Sequence, residues 1–217
     1  LMDLGQLDEA VKNYERAIFI KPDYVQAYCN QGNVFMALDQ NSLADKSYKK
    51  AISINPNYAV AHFNRAELFV NLKKFNEAIH SYQTAINLNP NIAYAKGSLL
   101  NAKMHLCIWD ELSININKII EEIKSKKKTI APFSLLALVD DPEIQKKATE
   151  IYAKDKYPKM PLLPKLRGVI KHKKIRIGYY SADFRDHPVA SLTAELYEKH
   201  NRKNFEVYAF SYGPDTN

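Results

Sequence analysis

The sequence predicts a mainly α-helical chain that ends in a β-α-β unit. Three observations carry this. Small and apolar residues recur with one fixed step over roughly the first ninety positions. A Pro- and Lys-rich stretch, "YPKMPLLPKLRGVIKHKK", runs from Tyr157 to Lys174. After it the apolar pattern changes from helical spacing to two β-rich runs with a helical segment between them.

The recurring step is thirty-four residues. Pro22, Pro56 and Pro90 obey it, within "KPDY", "NPNY" and "NPNI". So do Ala10, Ala44 and Ala78; Tyr14, Tyr48 and Tyr82; Ala17, Ala51 and Ala85; and the pair Phe35 and Phe69. A repeat of this length holds two antiparallel helices that bury their apolar faces against neighbouring repeats. Small residues belong where helices cross closely: Gly32 or Ala66 on the first helix, Ala44 or Ala78 on the second. Tyr48 and Phe35 fill the space between repeats. Proline closes each unit, because it cannot continue a helix and disfavours helix in the residue before it. These columns match the tetratricopeptide pattern. Residues 1–22 hold the second helix of one repeat, full repeats span 25–56 and 59–90, and a capping helix begins near Ile92.

Asn30 and Asn64 share one column of the first helices. An amide both donates and accepts, so a line of them along a groove suits the main chain of an extended peptide. An ordinary polar helix position explains the same residues.

Residues 103–125 read as continuing helix, with Trp109 packed on the last repeat. Asp141-Pro142 reads as a helix start, with Asp141 as N-cap, Pro142 in the first turn and Glu143 at the positive helix end. The stretch from Tyr157 to Lys174 reads as a linker.

"KIRIGYYS" (174–181), "HPVASLTAELYEKHN" (187–201) and "FEVYAFS" (205–211) read as strand, helix, strand. That order implies parallel pairing, and parallel sheets bind ligands beyond the carboxyl ends of their strands. "SADFRDHP" lies at that edge. It is neither G-x-G-x-x-G nor a P-loop. Pro188 suits the first helical position, which puts His187 at the N-cap. The positive helix end favours a neutral imidazole, whereas Asp183 and Asp186 favour the charged form. His187 therefore reads either as a helix cap or as a group meeting an acceptor hydroxyl or a donor phosphate. His62, His80, His105, His172 and His200 show no metal or catalytic spacing.

Charge and cysteines bound the remaining classes. The net charge of +7 falls entirely after residue 92, much of it in Lys124–Lys128 and Lys165–Arg176. No aromatic stacking pattern accompanies these lysines, so a solvated linker explains them better than a nucleic-acid patch. No apolar run is long enough to span a membrane. Cys29 and Cys107, both in helical patterns, read as reduced core thiols, which favours the cytoplasm. The text begins inside a helical pattern and stops just after a strand, so a piece of a longer chain is expected.

The order of these parts carries a resemblance. Repeats, then "CIWDEL", "APFSLLALVDDPEIQ" and "KIRIGYYSADFRDHPVASL…FEVYAFSYGPD", resemble the protein O-GlcNAc transferase (SPINDLY-like) glycosyltransferase family in its bacterial form. The resemblance implies a repeat superhelix joined to two Rossmann-like lobes of the glycosyltransferase B type. It implies inverting, metal-independent transfer of N-acetylglucosamine from UDP-GlcNAc to Ser or Thr of acceptor proteins held in the repeat groove. Relatives use other sugars. His187 matches the family's active-site histidine, and Asn30 and Asn64 match its asparagine ladder. Asp183 and Pro188, in the same block as His187, are carried as substrate-binding candidates. The family's uridine and pyrophosphate contacts lie mostly in a second lobe that this sequence does not contain.

The expected organisation is a repeat domain (1–106), a helical connector (107–173) and the start of a catalytic lobe (174–217). The expected partners are acceptor peptides and a nucleotide sugar, with no metal or other cofactor, no membrane span and no nucleic acid. The rival reading is a tetratricopeptide adaptor with a non-catalytic α/β remnant.

Overall fold

The computed structural model describes residues 4–157, 172–185 and 187–213. They belong to two compact units, Leu1–Met160 and Pro161–Asn217. Most of the expected linker, part of the basic segment 165–176, and Asp186 lie outside the described residues.

The first unit is helical. α1 (Leu4–Ile20) is followed by the pairs α2 (Val25–Ala37) with α3 (Asn41–Ile54) and α4 (Ala59–Asn71) with α5 (Phe75–Leu88). The helix boundaries fall where the thirty-four-residue step puts them. Between repeats, Asn55 and Asn89 each accept a hydrogen bond on Oδ1 from the backbone N–H two residues on, at 3.0 Å. This local turn replaces the helical ladder just before each proline.

Within each pair the turn repeats as well. Asp39 and Lys73 adopt left-handed backbone, with φ of 60° and 57°. The following amides, of Gln40 and Lys74, reach back 2.8 Å to the carbonyls of Phe35 and Phe69. This is the six-to-one closure of a Schellman turn, and it satisfies carbonyls that the helix end leaves open.

The crossing columns behave as their residue types require. Ala44, Ala51, Ala66, Ala78 and Ala85 are fully buried, and Tyr48 and Tyr82 are enclosed beside them. A Cβ built on Gly32 would lie 2.5 Å from Cε1 of Tyr48, so glycine there is a packing requirement. Each buried tyrosine hydroxyl donates to the same column of the first helix. Tyr48 donates to Asn33 Oδ1 (2.8 Å) and Tyr82 to Glu67 Oε1 (2.5 Å). A buried hydroxyl needs such a partner.

The third first-helix, α6 (Ala95–His105), departs from expectation. The continuous helix over 103–125 is broken at Leu106–Glu111. Cys107 and Glu111 there are left-handed, and α7 starts only at Leu112 (Leu112–Lys124). Trp109 falls in this break and is 51% exposed, so it does not serve as a packed anchor. Cys107 is likewise exposed, outside the helix end, and is not a core thiol; Cys29 is buried as expected.

α8 (Pro132–Leu136) and α9 (Pro142–Lys156) complete the first unit. Asp141 caps α9 as predicted, accepting from the backbone N–H groups of Glu143 (2.9 Å) and Ile144 (3.2 Å). A second apolar cluster, including Leu100, Ile119, Ile123, Ile130 and Leu135, joins α6 to these helices.

The second unit is a β-α-β. β1 (Ile175–Ser181) and β2 (Phe205–Ser211) pair in parallel, from Ile175 opposite Phe205 to Ser181 opposite Ser211, and α10 (Pro188–Glu198) is the crossover. Tyr179 meets the ring of Tyr197 on α10 edge-on, and its hydroxyl lies 2.6 Å from His200 Nε2. On the opposite pleat, Tyr180 stacks on Phe210 at 4.5 Å between centroids.

Candidate functional site

The loop from β1 to α10 gathers three of the predicted residues. His187 is the N-cap of α10, in extended backbone (φ −151°), and Pro188 is the first helical residue. His187 Nδ1 accepts the backbone N–H of Val189 at 3.2 Å. Asp183 is half-buried on the same loop, tied back by its N–H to Ser181 Oγ at 3.0 Å. Its Oδ2 lies 3.9 Å from His187 Nδ1 and its Oδ1 lies 3.9 Å from Arg185 Nη2.

These distances decide the tautomer. Nδ1 cannot accept from Val189 and donate to Asp183 at once. The amide contact is within hydrogen-bond range and the carboxylate contact is not. Nδ1 therefore holds the lone pair, and the ring proton of the neutral form sits on Nε2. In this geometry His187 offers a donor, Nε2–H, at the carboxyl edge of the sheet. The cap and a chemical role are compatible, because they use different nitrogens.

A residue that the sequence reasoning missed completes this edge. The N–H of Tyr212, just past β2, donates to Ser181 O at 3.2 Å. A Cβ on Gly213 would lie 2.0 Å from the carbonyl oxygen of Ala182. Only glycine lets the chain leaving β2 pass so close to the β1–α10 loop. The available signal was its place just beyond the second strand, in "SYGPD".

The two asparagines of the repeats are not equivalent. Asn30 on α2 is exposed. Asn64 on α4 is half-buried, and its Nδ2 donates to Asn33 Oδ1 (2.8 Å) and lies 3.3 Å from Cys29 Sγ. The next position in the column, on α6, is Ser98.

The first unit also carries an open cleft of about 800 Å³ between α5, α6 and α7, lined by Ile86, Leu99, Leu100, Lys103, Ile114 and Lys118 among others. Asn30 and Asn64 do not line it. Among the described residues no three His, Cys, Asp or Glu side chains are grouped to hold a metal ion, and no helix is long and apolar enough to cross a membrane.

Fold and edge geometry define the class: tetratricopeptide-like helical repeats followed by a β-α-β unit with a two-stranded parallel sheet. Comparison with known proteins makes this specific. Residues 1–39 and 32–73 match the family described as TPR repeat, residues 59–92 match Tetratricopeptide repeat, and residues 152–217 match Glycosyl transferase family 41. The chain is 27% identical over 134 residues to the probable UDP-N-acetylglucosamine–peptide N-acetylglucosaminyltransferase SEC of Arabidopsis thaliana, covering 55% of this chain and 14% of that protein.

Among solved structures, MamA aligns with 71% of this chain and 98% of its own, at 22% identity and a TM-score of 0.51. An O-GlcNAc transferase mutant of Thermobaculum terrenum aligns with 98% of this chain and 35% of its own, at 22% identity and a TM-score of 0.47. The chain thus matches tetratricopeptide repeat models over residues 1–92 and the Glycosyl transferase family 41 model over residues 152–217.

Proposed function

We propose that this chain is the acceptor-binding and early catalytic part of a protein O-glycosyltransferase. The whole protein would move N-acetylglucosamine from UDP-GlcNAc to Ser or Thr hydroxyls of cytoplasmic proteins. The observation that carries this is the coincidence of the family 41 match over 152–217 with a histidine cap at the carboxyl edge of the sheet. The activity belongs to a longer protein, since this chain spans 14% of its curated relative.

His187 acts in this reading as a hydrogen-bond donor through Nε2–H, toward an oxygen of the bound sugar nucleotide. A donor aimed at charge that grows in the transition state is worth more than one satisfied in the ground state. Asp183 and Pro188 shape the same loop. Asn30 and Asn64 hold the acceptor main chain along the repeats. The transfer needs no metal and no further cofactor.

A tetratricopeptide adaptor remains the second reading, favoured by the repeats alone. One experiment separates the two. The full-length protein is incubated with UDP-GlcNAc and a cytosolic extract, and Ser and Thr peptides are searched by mass spectrometry for added N-acetylhexosamine. His187→Ser and His187→Ala run in parallel. Serine keeps an N-cap acceptor but lacks the Nε2–H, so His187→Ser should fold normally and lose transfer by about a hundredfold or more. Unchanged transfer by His187→Ser would reduce His187 to a cap. No transfer from any nucleotide sugar by the unaltered protein would favour the adaptor.

A further inference from the structure

The column occupied by Asn33 and Glu67 carries a second task in one of its two rungs. In both repeats it accepts the buried tyrosine hydroxyl from the following helix. Glu67, as a carboxylate, can only accept, so the tyrosine is the donor in this column. The parallel fixes the orientation of the Asn33 amide: its oxygen faces Tyr48. That same oxygen, with its second lone pair, receives Nδ2 of Asn64 from the next repeat.

We propose that Asn33 is a positioning residue that fixes the polarity of the Asn64 rung. Both Nδ2 protons of Asn64 are directed inward, one at Asn33 Oδ1 and one at Cys29 Sγ. Its Oδ1 has no protein partner among the described residues. No buried side-chain polar atom lacks a partner there either, so on this half-buried residue Oδ1 reaches solvent. The Asn64 rung is thus an acceptor. It takes a backbone N–H from an extended peptide and donates nothing to it. Asn30 is exposed, with no such anchor among the described residues, and stays a two-way rung.

This inference rests on the proposal that the repeats bind acceptor peptide, and its test separates the two. Three variants of the chain are compared. Asn33→Asp keeps an oxygen acceptor for both contacts, as the Glu67 carboxylate is the acceptor for Tyr82. Asn33→Leu combined with Tyr48→Phe removes the anchor without leaving a buried hydroxyl unpaired. Asn64→Ala removes the rung. The first readout is the Asn64 side-chain amide signal by nuclear magnetic resonance. It should show slow hydrogen exchange in the unaltered chain and in Asn33→Asp, and lose it in Asn33→Leu/Tyr48→Phe. The second is anisotropy of a fluorescein-labelled, unstructured Ser/Thr/Ala/Val peptide.

Binding should weaken about fivefold in Asn33→Leu/Tyr48→Phe and in Asn64→Ala, and stay unchanged in Asn33→Asp. Scanning single N-methyl groups along the peptide should find one position whose loss of N–H is felt by the unaltered chain and not by Asn64→Ala. If Asn64→Ala weakens binding while Asn33→Leu/Tyr48→Phe does not, the positioning role is refuted and peptide binding survives. If no variant binds peptide and the Asn64 signal is indifferent to Asn33, both fall. If the chain binds no peptide but the signal follows Asn33 as expected, the positioning stands and the peptide reading fails.

Discussion

Gly32→Ala tests the closest helix crossing in the repeats. The added methyl would lie 2.5, 2.8 and 2.9 Å from three ring atoms of Tyr48, a side chain with no exposed surface. The ring cannot swing away freely, because its hydroxyl is held by Asn33 at 2.8 Å and its neighbours Ala44 and Ala51 are fully buried. Overpacking of this kind costs about 1–3 kcal/mol. Against it, alanine is favoured over glycine inside a helix by about 1 kcal/mol. The net expectation is a loss between about 0 and 2 kcal/mol, or a melting midpoint lower by up to about 4–8 °C at about 2–4 °C per kcal/mol.

Urea unfolding followed by far-ultraviolet circular dichroism measures it, with the slope compared to the unaltered chain to confirm a common unfolding transition. Ala66, the same column one repeat later, supplies the control. Ala66→Gly loses helix preference and a buried methyl, and should cost about 1–2 kcal/mol. If Gly32→Ala instead raised stability by about 1 kcal/mol, the Tyr48 ring would have room to move. The claim that glycine is required by packing would then be wrong.

Four further outcomes are expected. Lys73 adopts a left-handed backbone that costs a side chain about 1 kcal/mol, so Lys73→Gly should raise the urea midpoint by a corresponding amount. Asp141→Ala removes the two-pronged cap of α9 and should lower stability by about 1 kcal/mol, read in the same assay. Burial pushes the Cys29 thiol up to about 11, whereas Cys107 is exposed. Titration with a thiol reagent should therefore modify one cysteine promptly in the native chain and both in denaturant, with mass mapping the first to Cys107.

Burial alone would raise the Asp45 carboxyl, but hydrogen bonds from Lys49 and Arg65 and their charges outweigh it and hold it below its usual value. A depressed folded-state value contributes stability above the unfolded value of about 3.9 and loses it as pH falls through the folded one. Asp45→Asn should therefore flatten the acid limb of a stability–pH curve below about pH 4, and an acid limb unchanged by the substitution would count against the ion pairs.

Where the fold was legible, the reason is repetition. Ala44 and Ala78, Tyr48 and Tyr82, and Pro56 and Pro90 each see the same surroundings twice, so one column identifies both the residue type and its task. The caps Asp141 and His187 were legible because capping is local: a side-chain acceptor, a proline next, and an amide two residues on. The failures share the opposite property. Whether residues 103–125 form one helix depends on left-handed backbone at Cys107 and Glu111, two residue types that give no local warning of it. The polarity of Asn64 depends on Asn33, thirty-one positions earlier, and on the hydroxyl of Tyr48 beside it. Gly213 is explained only by the approach of Ala182 from the other end of the β-α-β. None of these follows from a window of sequence.

The end of the repeat array has its own physical cause, visible once the columns are aligned through α6. Ala95 continues the buried column of Ala27 and Ala61. Leu100, however, stands where Gly32 and Ala66 stood, in the column that must be small for the next helix to cross closely. With a leucine there, α7 cannot approach α6 as α3 approaches α2, and the break at Leu106–Glu111 and the open cleft of about 800 Å³ follow. The small residue has not vanished but moved back by about one turn, to Gly97, in the column of Cys29 and Phe63.

A Cβ on Gly97 would lie 2.5 Å from Cγ1 of Ile130, so its close neighbour is now the returning segment 128–130. The N–H groups of Tyr94 and Gly97 donate to the carbonyls of Lys128 (2.6 Å) and Thr129 (3.0 Å). The first turn of α6, which has no side-chain cap, is thereby satisfied by backbone from beyond α7. One exchanged pair of residue sizes, Leu100 and Gly97, thus changes what packs on the last first-helix. A repeat that would have accepted another copy of itself accepts instead the extended segment leading to α8 and α9.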